Sequence, residues 1–394
     1  MNLVLKLIVG IIAGIGIGLF APDFITQLLF TGQTLIGQLI KFTIPLIILF
    51  YIASGIASLP KGSGSLLGKT VGLAYGSTII AGSLAFIVAS NVLPGLTAGN
   101  VVENVAEGEK LKGFIEFSVT PLFDVMTALA LAFIFGIGIS ATNAERLRNG
   151  VNEARDIIDV LLAKVIIPLL PFYIAGIFAE MSLDGSVYST LQTFGVVLVL
   201  AIFMHWLWIS FLFISSGIAL GKPPITLLRN MLPAYFTALG TMSSAATIPV
   251  SLRATKDNDV KDDVANFTVP LCASIHLSGS TITIVTCATA VMLLTPELAV
   301  PSLVTMFGFI LMLGVTMIAA PGAPGGAVMS ALGLLASMLG FTDAALALMI
   351  ALYMAQDSFG TACNVTGDGA IALWVNKFAP DDMGGAVAAE TESA

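Results

Sequence analysis

Charge is what this sequence has least of. Only 10% of its 394 residues are Asp, Glu, Lys or Arg, while 57% are apolar. A soluble domain is about one quarter charged because it must present a wet surface. So few charges cannot cover a 40.9 kDa body, and the mean hydropathy of +0.99 agrees. A soluble globular protein is thereby excluded, and lipid becomes the solvent. Only helices and closed barrels can span a bilayer. Apolar runs of about twenty residues exclude the barrel, whose strands would alternate over about ten. No basic block suits nucleic acid, and no phosphate-binding loop is present to couple ATP hydrolysis. Cys272, Cys287 and Cys363 are odd in number and lie in apolar stretches. They read as small buried residues rather than a disulfide or metal set. The first apolar run ends at Pro22 without a clear cleavage pattern, so it reads as a first span rather than a removed signal.

What is present is a series of apolar spans near 3–21, 34–58, 70–93, 115–141, 157–180, 190–219, 264–291 and 343–374. Basic residues orient them. Lys6, then Lys61 and Lys69, then Arg146, Arg148 and Arg155, then Lys222 and Arg229 fall at every second loop and so on one side, with Glu180 and Asp184 in a loop on the other. Lys110 and Lys112, accompanied by Glu103, Glu107 and Glu109, are the weakest vote. The alternation places the N-terminus in the cytoplasm. It breaks at 253–263, which carries Arg253, Lys256 and Lys261 directly after the region 223–252. About thirty residues between two cytoplasmic flanks cannot make two full spans. They can make a re-entrant hairpin, whose tip reads from Thr241 to Pro249. A second such region, 296–340, has Glu297 and Asp343 at its flanks and is broken by Pro321, Gly322, Pro324, Gly325 and Gly326. Two hairpins from opposite sides, each followed by a span, form an inverted repeat, with the substrate expected between the broken helices. A kinked bundle of eight or nine spans is the alternative.

The last span carries polar groups that lipid would not tolerate. Asp357, Thr361, Asn364 and Asp368 share one helical face. Each charge at the bilayer centre costs at least about 2.5–3.5 kcal/mol, and no Lys or Arg lies in the span before Lys377. Mobile partners, a metal cation and a substrate ammonium, are the expected counter-charges; a protonated Asp pair is the structural alternative. In the preceding span, Ser274-Ile275-His276-Leu277-Ser278-Gly279-Ser280 suggests an unwound turn with carbonyls for a cation. His276 reads either as a neutral histidine satisfied by a hydroxyl or as a proton carrier. His205, beside Trp206 and Trp208, reads as an interfacial belt residue.

On these residues the sequence resembles the dicarboxylate/amino acid:cation symporters, the glutamate-transporter homologues. Ser243-Ser244-Ala245-Ala246-Thr247-Ile248-Pro249 is similar to that family's first hairpin tip, Pro321–Gly326 to its second, and Asp357-x-x-x-Thr361-x-x-Asn364-Val365-Thr366-Gly367-Asp368 to its last-helix signature. The resemblance covers essentially the whole chain. It implies an all-α polytopic protein of about eight transmembrane helices plus two re-entrant helical hairpins, working as an elevator. Residues 1–70 and 110–219 would be mainly scaffold and trimerisation helices, and 70–109 a third span with an external loop. Residues 220–374 would be the transport core and 375–394 a cytoplasmic tail. It further implies a homotrimer in the plasma membrane (the inner membrane of a Gram-negative cell), with both termini cytoplasmic. Asp357 would hold a substrate ammonium and Asn364 its carboxylate. Ser243, Ser244, Ser280, Ala323, Gly326, Gly360 and Thr361 complete the substrate set. Sodium would meet Cys272, His276, Asn364 and Asp368, and a second ion Ser274 and Leu277.

Departures from the family pattern refine this. Gly360 and Met242 stand where acidic-substrate members carry arginine. A neutral amino acid of serine, threonine or alanine type is therefore expected, with Gly360 leaving empty volume for a side chain of any size. The family's Asn-Met-Asp-Gly-Thr reads His276-Leu277-Ser278-Gly279-Ser280, which removes the carboxylate from a third cation site formed with Ser77 and Thr78. That site is expected to be weakened, with a proton at His276 as a possible substitute. The function expected is sodium-driven symport of a neutral amino acid, not an enzyme. Cystine, a larger neutral amino acid, an acidic amino acid or dicarboxylate, and an ion channel remain the alternatives.

Overall fold

A computed structural model describes residues 3–57, 64–97, 113–115, 119–318, 320 and 324–379. Those residues are helical with short links, and no strand occurs among them. The chain order is α1 (Leu3–Phe20), α2 (Asp23–Ala57), α3 (Gly64–Thr97), α4 (Val125–Thr142), α5 (Glu145–Leu161), a π-helical turn (Leu162–Ile166), α6 (Ile167–Leu183) and α7 (Val187–Leu220). It continues through α8 (Pro224–Thr241), α9 (Ser244–Lys256), α10 (Asp262–Ile275), α11 (Ser278–Leu294), α12 (Leu303–Ile318), α13 (Gly326–Leu339) and α14 (Asp343–Phe378). Helix closes every backbone hydrogen bond within its own segment, which hydrocarbon demands. Among the described residues, seven stretches are long and apolar enough to cross a membrane, and large apolar side chains such as Ile12, Leu28, Ile134, Val199 and Ile218 stay exposed.

Three expected boundaries move. The second span begins at Asp23 rather than near 34, and the fourth only at Val125 rather than near 115. The segment bearing Arg146, Arg148 and Arg155 is helix rather than loop, because its pattern is amphipathic. It runs through the π turn into α6 as one rod, Glu145–Leu183. Pro168 lacks the N–H that would close the preceding turn, which accounts for the local widening there. The votes of Lys61, Lys110 and Lys112 lie outside the described residues.

Two groups of helices pack side by side. One comprises α1, α2, α4, α5 and α6. Gly10, Gly14 and Gly18 bring α1 against the backbone of Pro171, Ala175 and Ala179 in α6, where a Cβ would have no room. The other comprises α3 and α7 to α14, centred on α11 and α14. The sixth span, α7, packs on α14, α11 and α8, with the hairpin-bearing half rather than with the early spans among which the sequence-based division put it.

Both expected hairpins form. Helices α8 and α9 pack antiparallel across Met242 and Ser243. Met242 adopts a left-handed φ of 54°, and the Ser243 side chain caps α9 by accepting from the Ala246 N–H. Helices α12 and α13 pack likewise, joined through the proline- and glycine-rich stretch; Ala319, Pro321, Gly322 and Ala323 lie outside the described residues. The seventh span is broken at His276 and Leu277, between α10 and α11. The last span, α14, is one continuous helix.

Candidate functional site

Asn364 on α14 reaches the break in the seventh span. Its Oδ1 accepts from the N–H of Gly279 at 2.7 Å and of Ser280 at 3.2 Å. Its Nδ2 donates to Ser280 Oγ at 2.9 Å. The first N–H groups of α11 have no acceptor within their own helix, so Asn364 caps α11 from a neighbouring one. Two turns earlier on α14, the Asp357 carboxylate accepts from the Gly325 N–H at 2.7 Å. That bond ties α14 to the start of α13, where Gly325 holds φ 76° and a side chain would strike Met354. Thr361 is buried and its hydroxyl donates back to the Asp357 carbonyl.

One turn later comes Asp368. Its Oδ1 accepts from His276 Nδ1 at 2.9 Å, and His276 Nε2 lies 2.8 Å from Ser77 Oγ on α3. With Nδ1 donating to the carboxylate, a neutral ring accepts the Ser77 hydroxyl proton at Nε2. All three residues are buried. The order hydroxyl, imidazole, carboxylate is that of an activated nucleophile. Ser77 however sits mid-helix, where the neighbouring N–H groups are committed to the helix and none is left to hold an oxyanion.

The expected residues thus fall into three connected groups: Asp357 with Gly325, Asn364 with Gly279 and Ser280, and Asp368 with His276 and Ser77. Gly326 is buried at the start of α13, Ser244 is buried behind the first hairpin tip, and Ser243 bonds locally. Ala323 lies outside the described residues. Cys272 and Leu277 are buried at the break, whereas Ser274 is exposed. Thr78 turns its hydroxyl onto the Ala74 carbonyl, and Ser278 Oγ is buried with no hydrogen-bond partner among the described residues.

Two expectations are corrected. His205 is not an interfacial residue: it is 1% exposed, and its Nε2 lies 3.0 Å from both the Gly279 carbonyl and Thr283 Oγ1. The adjacent Trp208 is likewise buried. Its place near the middle of the 34-residue α7 was the signal available. Nor does Gly360 leave a void. A Cβ there would lie 3.1 Å from Thr283 Oγ1, because α11 and α14 approach closely through Gly279 and Gly360.

A chain of buried polar groups at a helix break, flanked by two helical hairpins, is the kind of place where secondary transporters bind their substrates. A model of the sodium:dicarboxylate symporter family matches residues 3–378. The chain belongs to that family. Membership makes it a multi-pass membrane symporter of a transporter family. The family's description includes sodium, and the oxygens of Asp368 and the carbonyls beside it are hard donors of the kind a sodium ion takes. His276 already engages Oδ1, leaving Oδ2 for an ion. The set around Ser77, Thr78 and Ser278 fits a cation poorly: Ser77 is engaged by His276, Thr78 by Ala74, and Ser278 brings no charge.

Proposed function

We propose that this member of the sodium:dicarboxylate symporter family imports a small neutral amino acid, of alanine, serine or threonine type, with sodium. The observation that carries the reading is the pairing on one face of α14 of a buried carboxylate, Asp357, with a buried amide, Asn364. A zwitterion offers an ammonium to the first and a carboxylate to the second. No Lys or Arg is buried among the described residues, so a second substrate carboxylate would lie near Asp357 with no cation to offset it. The space at Gly360 is narrowed by Thr283 and Gly279, which favours a small side chain.

In the mechanism, Asp357 holds the ammonium and the Asn364 amide nitrogen holds the α-carboxylate. Ser280, Thr361, the first hairpin tip at Ser243 and Ser244, and the second hairpin at Ala323 and Gly326 complete the enclosure. The Gly325 N–H donates to Asp357; an arriving ammonium shares or replaces that bond and so reports occupancy to the second hairpin. Asp368 with the carbonyls of Cys272, His276 and Asn364 would hold sodium, and Ser274 and Leu277 border a second site. Bound sodium neutralises a carboxylate that is otherwise costly to bury, so substrate and ion are favoured together. The imidazole of His276 fills the place of a third ion, which lowers the number of coupled cations.

We further propose a homotrimer in the plasma membrane with both termini cytoplasmic, in which the hairpin-bearing half moves as an elevator against the early spans. A cavity of about 150 Å³ with a mixed lining, Gln33, Gln38 and Asp343 beside Gly37, Ala344 and Ala347, lies between α2, α6 and the start of α14. Uptake into proteoliposomes of all twenty amino acids, cystine and succinate, under a sodium gradient and then a proton gradient, tests the proposal. Sodium-driven uptake of a small neutral amino acid is expected. Strong glutamate or succinate uptake would overturn it.

A further inference from the structure

His205 sits deep in α7 with its Nε2 3.0 Å from the Gly279 carbonyl oxygen. A carbonyl only accepts, so Nε2 carries the proton and donates. That oxygen belongs to the same peptide unit as the Ser280 N–H, which donates to Asn364 Oδ1 at 3.2 Å. One peptide plane is therefore pinned from both edges, by a histidine from α7 and by an asparagine from α14. It needs such anchors. Gly279 has no side chain to restrain its own torsions, and none would fit, because a Cβ would come within 2.5 Å of Cys363 Cβ. Cys363 Sγ also lies 3.9 Å from the His205 carbonyl, fixing α7 and α14 at this level.

The consequence reaches the ligand. While the Gly279 and Ser280 N–H groups both point at Asn364 Oδ1, that oxygen is held as an acceptor. The amide nitrogen must then face the other way, toward Ser280 Oγ and the substrate. We propose that His205 is a positioning residue of the amino-acid site, orienting the Asn364 amide through the Gly279–Ser280 peptide. The proposal rests on the reading of Asn364 as the carboxylate ligand. The Thr283 hydroxyl donates to the same carbonyl at 3.1 Å, so loss of His205 weakens the anchor without abolishing it.

The test compares the full chain with its His205→Leu and His205→Gln variants in proteoliposomes, using L-serine and L-alanine as probes. The melting temperature of each ligand-free protein is measured alongside. One hydrogen bond is worth about a fivefold to tenfold change in an equilibrium. His205→Leu is expected to raise KM by about that factor with the maximal rate held within about twofold, and His205→Gln, which restores an N–H at similar reach, to recover most of it. An unchanged KM with a lowered melting temperature would reduce His205 to a packing residue. Equal KM values for the Leu and Gln variants would also overturn the proposal. If the unmodified chain takes up glutamate or succinate and neither probe, the substrate reading fails separately, and the same comparison on that substrate's KM still decides the role of His205.

Discussion

Replacing Asp357 with Asn removes one negative charge and almost no volume. The side chain is 4% exposed, and it meets the second hairpin through the Gly325 N–H at 2.7 Å. An amide oxygen can still accept that N–H, so the ligand-free fold and the docking of α13 are expected to survive. The substrate ammonium fares differently, because it faces an amide instead of a carboxylate. Two unit charges about 3 Å apart interact by about 5 kcal/mol at an effective dielectric of about 20. The net worth of a charge-assisted hydrogen bond, after desolvation, is about 1.5–3 kcal/mol. Affinity for a neutral amino acid should therefore fall by about tenfold at least and about a hundredfold at most. Ligand-dependent thermal shift in detergent and uptake in proteoliposomes measure this, with the ligand-free melting temperature as control. A KM within twofold of the unmodified chain would refute the assignment of Asp357 to the ammonium.

Three other perturbations follow from the same geometry. Asp368→Asn should raise the sodium concentration needed for half-maximal uptake, read from sodium titrations at fixed substrate; an unchanged titration would remove Asp368 from the ion site. His276→Ala strips the described hydrogen-bond partner from a carboxylate that is 1% exposed. In sodium-free buffer it should destabilise the fold by about 1.5–3 kcal/mol, visible as a lowered melting temperature that added sodium partly restores. Gly279→Ala drives a methyl into Cys363 and the Gly360 carbonyl. Overpacking of this kind costs about 1–3 kcal/mol, and the separation of α11 from α14 should also raise KM; wild-type thermal stability in that variant would show the approach to be looser than described.

Much of the fold was legible because the bilayer writes it into composition. The break at His276 and Leu277, the first hairpin tip at Met242 and Ser243, and the polar face of α14 all announced themselves as small or charged residues in otherwise apolar runs. The start of α2 and the helical nature of α5 were harder to read. Hydropathy marks what lipid covers, whereas a helix also extends beyond lipid wherever its backbone bonds allow, as α5 does with its arginines. His205 was misread for a related reason. Two neighbouring tryptophans resemble an interfacial belt, yet Trp208 is buried among helices and the histidine is bonded to Gly279.

The sequence by itself determined that this is a helical membrane protein, that two segments break into helical hairpins, and that Asp357, Asn364 and Asp368 share one face. Those properties follow from local pattern, since periodicity and apolar length act within a single segment. Only the tertiary structure decided which groups those side chains meet. That Asn364 caps α11, that His276 joins Asp368 to Ser77, and that α11 closes on Gly360 depend on contacts between residues some 80 to 200 positions apart. No local pattern encodes such pairings, because they are fixed by how closely the helices pack once glycine lets their backbones meet.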